Sequence, residues 1–437
     1  MPFCQVIVDI NHTDVDHVFT YRVPKGLDIC PGMRVHVPFG PRKLEGVVVE
    51  MTEDCDLPPE RVKDVCDTLE DYPAVLPPLL ALAKDIQKSS FCTLAVALRL
   101  MFPAQMRGQR IHEKQQEIAV LTVAPDVLGQ VIAAQVRAPK RAKVLRTLAD
   151  APEMELTTAA LREAVGDCRD ALNALCKMGF VKLEKRETLR RPYGAMERLS
   201  GQDPRLTRQQ EDVLAELLPA VEKGKGEFLL YGVTGSGKTE VFIRAVRHAA
   251  QLGKTAIVLV PEIALTPQMV LWFRSRFGED AAVLHSRLSP GERYDEWRRI
   301  RRGDVRVVIG ARSAIFAPLE NVGLIIIDEE HEQSYIADNN PHYDARQLAH
   351  ERCQREGAAL LLASATPSMR SFAMAGRGDL TLLEMPRRVN NRPMPAVHVV
   401  DMREELKKGN RSVFSGALVN GLDRCIKSGR QAILFIN

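Results

Sequence analysis

The stretch Phe228-Leu-Leu-Tyr-Gly232-Val-Thr-Gly-Ser-Gly-Lys238-Thr-Glu240 decides the architecture. Its short apolar run, Phe228–Tyr231, predicts a buried strand. Residues Gly232, Val233, Thr234, Gly235, Ser236, Gly237, Lys238 and Thr239 then fit the pattern G-x-x-x-x-G-K-[ST], and a helix is predicted over Lys238–Leu252. Strand, glycine-rich turn and helix in that order make a phosphate-binding loop. The glycines let successive backbone N–H groups wrap phosphate oxygens at a helix N-terminus. Lys238 is placed to reach the β- and γ-phosphates of ATP, and the Thr239 hydroxyl to ligate Mg²⁺.

Working outward, a βαβα rhythm runs from about residue 199. Further apolar runs occur at Thr255–Val260, Ala281–Leu284, Val305–Ile309, Leu324–Ile327 and Leu360–Ala363, with helical stretches between most of them. This predicts a mainly parallel sheet covered on both faces. Ligands of such sheets gather at the C-terminal ends of the strands. The segment Leu324-Ile-Ile-Ile-Asp328-Glu329-Glu330-His331 puts carboxylates there. Asp328, on a strand expected to neighbour that of the phosphate loop, would hold Mg²⁺, and Glu329 would polarise the attacking water. His331, directly after the acids, is the candidate coupling residue. A last strand, Gln431–Ile436, is expected at the C-terminus, and its uncovered position points to a piece of a longer protein.

Upstream, the first stretch is rich in Val and Pro. Strands are expected at Phe19–Val23, Arg34–Pro38 and Gly46–Glu50, forming a small barrel or sandwich, followed by a helix over about Leu76–Met101. Between about 110 and 198, helices at Lys140–Asp150, Thr157–Val165 and Cys168–Met178 precede an alternating Gly179–Glu187. Three helices and a β-hairpin give the order of a winged helix, which binds DNA in some proteins and protein in others. Lys182, Lys185, Arg186, Arg190 and Arg191 would lie on its wing.

A chain of 437 residues predicts about three domains. Its 45% hydrophobic and 27% charged residues exclude a disordered or fibrous protein. No apolar run approaches the ~18 residues that span a bilayer, and the N-terminus lacks the layout of a secretory signal. The net charge of +4 identifies no partner. The nine cysteines form no C-x-x-C pair and are irregularly spaced, which predicts reduced thiols in a cytoplasmic protein rather than a disulfide framework or a zinc site.

The motifs together resemble the superfamily 2 helicases, and within them the PriA-type replication restart helicases. The resemblance rests on Gly232–Glu240, Leu259–Gln268, His285–Trp297, Gly310–Pro318, Ile327–Tyr335 and Ser364–Pro367, and upstream on Phe19-Thr-Tyr21, Pro24-Lys-Gly26 and Arg34–Gly40. It implies an α/β multidomain chain: a RecA-like parallel-sheet helicase lobe preceded by a small β-rich domain and a winged helix. The implied boundaries are 1–109 for a β-rich domain that binds DNA 3′ ends, 110–198 for the winged helix and linker, 199–412 for the ATP-binding lobe and 413–437 for the start of a second lobe. By the same resemblance Gln210 reads adenine, whose edge pairs with one amide donor and one acceptor. Ser364 and Thr366 link ATP state to DNA grip. Arg312 and Ser313 hold the DNA backbone. Tyr335 and Tyr343 belong to an aromatic loop on which bases stack. Phe19, Tyr21, Gly40 and Lys63 match a pocket for the 3′ end of a leading strand, although read on their own Phe19 and Tyr21 are strand residues of one face, expected in a core.

The activity so implied is an ATP-dependent 3′→5′ DNA helicase that recognises stalled forks and promotes primosome assembly. Its partners would be forked and single-stranded DNA, primosome proteins and single-stranded-DNA-binding protein, with no membrane. Family members continue into a second lobe with a zinc-binding insertion, so Zn²⁺ ligands and an arginine finger are expected beyond residue 437. This stretch alone is expected to bind ATP and DNA but to hydrolyse poorly. The competing reading is an ATP-independent fork-binding scaffold that recruits restart proteins.

Overall fold

Valines alternating with polar residues build the N-terminal sheet. Its strands are β1 (Phe3–Val8), β2 (Phe19–Arg22), β3 (Arg34–Phe39), β4 (Arg42–Thr52) and β5 (Asp67–Thr68), paired antiparallel in the order β2-β1-β4-β3-β5. The inward side chains Val6, Val8, Tyr21, Val35, Val37 and Val48 form its core. A Cβ on Gly46 would lie 2.8 Å from the Ile7 carbonyl oxygen, so only glycine lets β4 approach β1 this closely. The structure is a computed structural model and describes residues 2–55, 58, 61–109, 114–190, 204–265, 267–389 and 396–435. The chain divides into one unit of Met1–Arg387 and a second of Arg388–Asn437.

The helix expected over Leu76–Met101 is two helices, α1 (Pro77–Ser90) and α2 (Leu94–Leu98). Phe91 is left-handed (φ 50°), and the Thr93 hydroxyl accepts from the Val96 N–H, capping a new start. The next module runs β6 (Gln115–Leu121), α3 (Pro125–Ala134), α4 (Pro139–Ala149), β7 (Glu155–Thr157), α5 (Thr158–Val165), α6 (Arg169–Lys177) and β8 (Val181–Glu187). Helices α4, α5 and α6 are the three expected. The hairpin is not formed among the described residues. Strand β8 pairs along its whole length with β6, from before the helices, and the sheet runs β7-β6-β8. The period-2 pattern of β8 gave its faces but could not name a partner so distant in sequence. Three of the basic residues expected on a wing are engaged: Lys182 with Glu184 at 3.0 Å and Arg186 with Glu155 at 2.6 Å, while Arg190 reaches Asp295 at 3.1 Å; Lys185 lies on β8. Arg191 lies outside the described residues.

The remaining elements of this unit are α7 (Arg208–Lys223), β9 (Glu227–Gly232), α8 (Lys238–Gln251), β10 (Thr255–Leu259), α9 (Pro267–Phe277), β11 (Ala281–Leu284), α10 (Pro290–Arg302), β12 (Val307–Gly310), β13 (Val322–Ile327), α11 (Ala345–Glu356), β14 (Ala359–Ser364), α12 (Met369–Arg377) and β15 (Thr381–Met385). Seven strands form one parallel sheet, β11-β12-β10-β13-β14-β9-β15. Each apolar run read from the sequence is one of these strands. Strand β15 was not anticipated, because only Leu383 and Met385 of its five residues are buried. The acid-bearing β13 is not adjacent to the phosphate-loop strand β9; β14 lies between them and brings Ser364 to the same edge. One face of the sheet packs against α7, α8 and α9, whereas the other shares its core with Leu79, Leu82 and Ile86 of α1 and Met101 beyond α2.

Helix α10 reads as a solvated charged helix, yet all six residues Asp295–Ile300 are at most 4% exposed. The Trp297 indole N–H donates to the Met101 carbonyl (3.4 Å), and Arg301 donates to that of Pro73 (2.7 Å). Arg298 and Arg302 pair with Glu187 at 2.5 and 3.0 Å, and the Arg190 backbone N–H donates to Asp295 at 2.7 Å. Glu296 accepts from the Val283 N–H at 3.0 Å. Three modules thus enclose one helix.

The second unit contains α13 (Met402–Lys407) and α14 (Gly416–Lys427). Gln431–Phe435 forms no strand, since a strand needs a ladder partner and the described residues supply none; Ile436 lies outside them. All nine cysteines are free thiols. No described helix is long and apolar enough to cross a membrane.

Candidate active site

At the end of β9 the chain turns through Gly235 and Gly237, both at φ 82°, before α8 begins at Lys238. Those left-handed positions are open to glycine at no steric cost. A Cβ on Gly232 would lie 2.9 Å from the Ser236 hydroxyl and 3.1 Å from Lys238 Cγ, so the cradle is as tight as its backbone allows. The Ser236 hydroxyl is buried with no hydrogen-bond partner. Lys238 donates to the Gly232 carbonyl at 2.9 Å and stands 3.8 Å from Glu329 Oε1. The Val233 N–H donates to the Met385 carbonyl (3.1 Å), so β15 steadies the loop. Thr234 is exposed, and Thr239, in the first turn of α8, is half-buried. An anion with several oxygens would satisfy what this nest leaves open: an unpartnered hydroxyl, a lysine resting on a carbonyl, and N–H groups at a helix start.

Asp328 is 8% exposed, and its backbone N–H donates to the Leu259 carbonyl at 2.9 Å. Burial, with repulsion from Glu329, pushes its carboxyl up to about 6 against the pull of Lys238. A buried acid so disfavoured as a carboxylate is a place where a cation is stabilising, and with the Thr239 hydroxyl it fits Mg²⁺. Glu329 has a positive φ of 45°, an uncommon backbone for a non-glycine residue, and its N–H donates to Asp328 Oδ1 at 3.0 Å. His331 Nδ1 is 2.8 Å from the Ser364 hydroxyl, which lies 3.4 Å from Glu329 Oε2 and accepts from the Thr366 N–H at 3.0 Å. His331, Ser364 and Thr366 therefore converge on the carboxyl facing Lys238, with Thr366 contributing its backbone.

Gln210 is 3% exposed. Its amide oxygen accepts from the Thr207 N–H (2.8 Å) in the capping box of α7, and its nitrogen donates to the Gly237 carbonyl (3.1 Å). The amide thereby ties α7 to the phosphate loop. The sequence reading passed over Glu330. It is fully buried, and its carboxyl accepts from the Ser368 N–H (2.6 Å), the Ser368 hydroxyl (3.1 Å) and the Ser371 hydroxyl (2.8 Å) at the start of α12. The only signal for it was a third acid in Asp-Glu-Glu, indistinguishable in type from its neighbours.

Tyr335 is wholly buried and donates to the Asp328 carbonyl at 2.6 Å, so its ring supports the acid turn and offers no face to a base. Burial raises its hydroxyl far above the usual tyrosine value. Tyr343 meets Phe316 edge-on (5.2 Å) and lies 5.6 Å from the Arg312 guanidinium. Arg312 donates to the carbonyls of Ser334 (3.1 Å) and Ile336, and Ser313 beside it is exposed. In the N-terminal module Tyr21 is 4% exposed, bonds the Pro38 carbonyl at 3.3 Å and is pushed up to about 12 by burial, which makes it core. Phe19 is at the rim, edge-on to Phe39 (5.1 Å), near Gly40, where a side chain would meet open space. Lys63 is exposed at the other end of β2, where its carbonyl accepts from the Arg22 N–H (2.9 Å).

Comparison with known proteins fits this geometry. Residues 5–103 match the family described as the 3′DNA-binding domain, and residues 207–375 match the DEAD/DEAH box helicases. The replication restart protein PriA of Bacillus subtilis (strain 168) is 37% identical over an alignment covering 100% of this chain and 62% of that protein. That of Synechocystis sp. is 34% identical, covering 100% and 61%. Among solved structures, RecG bound to a three-way DNA junction is 28% identical over 44% of this chain and 25% of its own, at a TM-score of 0.32. The chain spans about three fifths of the length of the curated relatives it matches. Two domain families match within it and its whole length aligns with these relatives, so the chain is similar throughout to the PriA replication restart proteins.

Proposed function

We propose that this chain is the nucleotide-binding and DNA-engaging part of an ATP-dependent 3′→5′ DNA helicase that recognises stalled forks and promotes primosome assembly. The observation that carries the reading is the 3.8 Å approach of Lys238 to Glu329, with the buried Asp328 beside them and Ser364 and His331 behind. Bound Mg²⁺ would supply charge neutralisation of the phosphates. Lys238 leaves the Gly232 carbonyl for phosphate oxygens, and the N–H groups at the start of α8 cradle them. Thr239 and Asp328 hold the metal. Glu329 orients the attacking water and accepts its proton, and the Ser364 and His331 contact transmits the change in its environment. Arg312 and Ser313 grip the DNA backbone, with Phe19, Gly40 and Lys63 near the 3′ end of a leading strand. Gln210 reads the adenine edge with the second lone pair and second N–H of an amide held by Thr207 and Gly237.

The runner-up, an ATP-independent scaffold that recruits primosome proteins, differs in one outcome. Lys238→Ala in the full-length protein should abolish restart if the motor reading holds, and spare it if the scaffold reading does. For the chain itself, forks with and without a leading strand at the branch are compared at two salt concentrations. A leading-strand preference supports the 3′-end pocket, and the salt slope counts phosphate contacts. Equal affinity for all substrates would reduce the N-terminal module to a structural barrel.

A further inference from the structure

A cavity of about 550 Å³ opens where the segment Arg99–Ala104, just beyond α2, meets the ends of β11 and β12. None of residues 232–239 or 328–331 lines it, so it is separate from the nucleotide site. Its size falls within the ~300–1,000 Å³ of pockets that enclose small ligands. Phe102, Trp297, Phe316 and Tyr343 give it aromatic walls. Two of these are fixed in place: Trp297 by its bond to the Met101 carbonyl, and Tyr343 by its edge-on contact with Phe316 at 5.2 Å.

Arg293 and Arg312 line the cavity. Arg293 donates to the carbonyls of His285 (3.2 Å) and Ser286 (3.1 Å), and Arg312 lies over Tyr343 while donating to the Ser334 carbonyl. Main-chain carbonyls therefore orient both guanidiniums at the cavity. Two carboxyls also line it. Glu262 accepts from the Ser286 hydroxyl, whose residue also binds Arg293 through its carbonyl, and Asp338 is exposed. An aromatic slot lined also by two guanidiniums matches a flat base that carries a phosphate.

The geometry points to a nucleotide site in which one base, unstacked from a bound DNA strand, enters the aromatic slot while its phosphate rests on Arg293 and Arg312. The site rests on the DNA reading proposed above and adds to it a base pocket shared between the N-terminal module and the parallel-sheet lobe. A free nucleotide has the same chemistry, and the test separates the two sources.

Oligonucleotides carrying a single 5-iodo-deoxyuridine at successive positions are irradiated with the 437-residue chain, and the cross-linked peptides are mapped by mass spectrometry. One position should cross-link, to Phe102, Phe316 or Tyr343. Unlabelled DNA should compete, and excess deoxyuridine monophosphate should not. Ala104→Trp fills the mouth from an exposed position. It should remove the cross-link and weaken single-strand binding about tenfold, with the thermal midpoint unchanged. Cross-links spread evenly along the strand, or mapped away from the cavity while DNA stays bound, overturn the pocket and leave the DNA reading intact. Competition by the free nucleotide alone overturns the strand as the source. Failure to retain DNA at all overturns both.

Discussion

Replacing Glu330 tests the part of the site that was invisible in the sequence. The carboxyl is fully buried and holds three hydrogen bonds at the start of α12, one of them to the Ser368 backbone N–H. Glu330→Ala removes all three and leaves that half-buried N–H without a protein partner. Three bonds at about 1 kcal/mol each, with about 1–3 kcal/mol for the stranded donor, give a local loss of about 4–6 kcal/mol. Glu330→Gln keeps the oxygen that faces Ser368 N–H, and the two serine hydroxyls can rotate to accept from the new amide. Its loss should be nearer 1 kcal/mol. A chain with two units need not unfold in one step, so a single global stability is the wrong readout. Native-state hydrogen exchange reports the local opening of α12 and of the Ser364–Pro367 turn. Glu330→Ala should speed exchange at Ser368–Phe372 by at least about a hundredfold, and Glu330→Gln by about fivefold, with strands β10 and β13 unchanged. Equal exchange in both variants and the parent would show that the carboxyl does not anchor α12, and the reasoning would fail.

Other expectations concern protons, the acid turn and module docking. Asp328 has a folded value near 6, above its ordinary 3.8, so the native chain takes up a proton there, and the stability this confers is lost as pH rises through about 6. A metal-bound nucleotide must displace that proton, so Mg²⁺-dependent binding of a fluorescent ADP analogue should strengthen with a midpoint near about 6, and Asp328→Asn should flatten the profile. Tyr335→Phe deletes the 2.6 Å bond to the Asp328 carbonyl and should weaken nucleotide binding about fivefold, for about 1 kcal/mol, with DNA affinity unchanged; unaltered nucleotide affinity would place the bond outside the site's support. Burial opposes ionisation of Glu187, but hydrogen bonds from Arg302 and Arg298 outweigh it and hold the carboxyl below the usual glutamate range. The stability it adds is present above that range and lost as pH falls through the lowered value. Glu187→Ala takes a carboxylate from Arg298, which is 2% exposed, and should cost about 2 kcal/mol, read as faster exchange in β8 and α10; identical protection would refute the docking role.

What was legible in the sequence was what backbone geometry dictates by residue type. Gly235 and Gly237 occupy left-handed positions, Lys238 and Thr239 open a helix, and Asp328 ends an apolar strand, so each could be placed without knowing its neighbours. The rest depended on contacts distant in the chain. Tyr21 and Tyr335 have the same composition whether they stack on a base or fill a core, and only the surrounding fold puts both inside. The pairing of β8 with β6 spans a helical module, and no local alternation encodes it. The insertion of β14 between β9 and β13 brings Ser364 beside Glu329, although 35 residues separate them. Gln210 matches an adenine contact in sequence, and only the fold shows that the same amide caps its own helix and reaches the phosphate loop.

Helix α10 has a practical consequence for anyone who would dissect this protein. Its Trp297, Arg298 and Arg301 are satisfied by residues drawn from far upstream, so a recombinant fragment trimmed at the start of the parallel-sheet lobe would wet an indole and lose the carbonyls and carboxylate those side chains now meet. Such a truncation should precipitate or behave as a swollen intermediate. Seams drawn between modules from sequence alone are therefore poor places to cut.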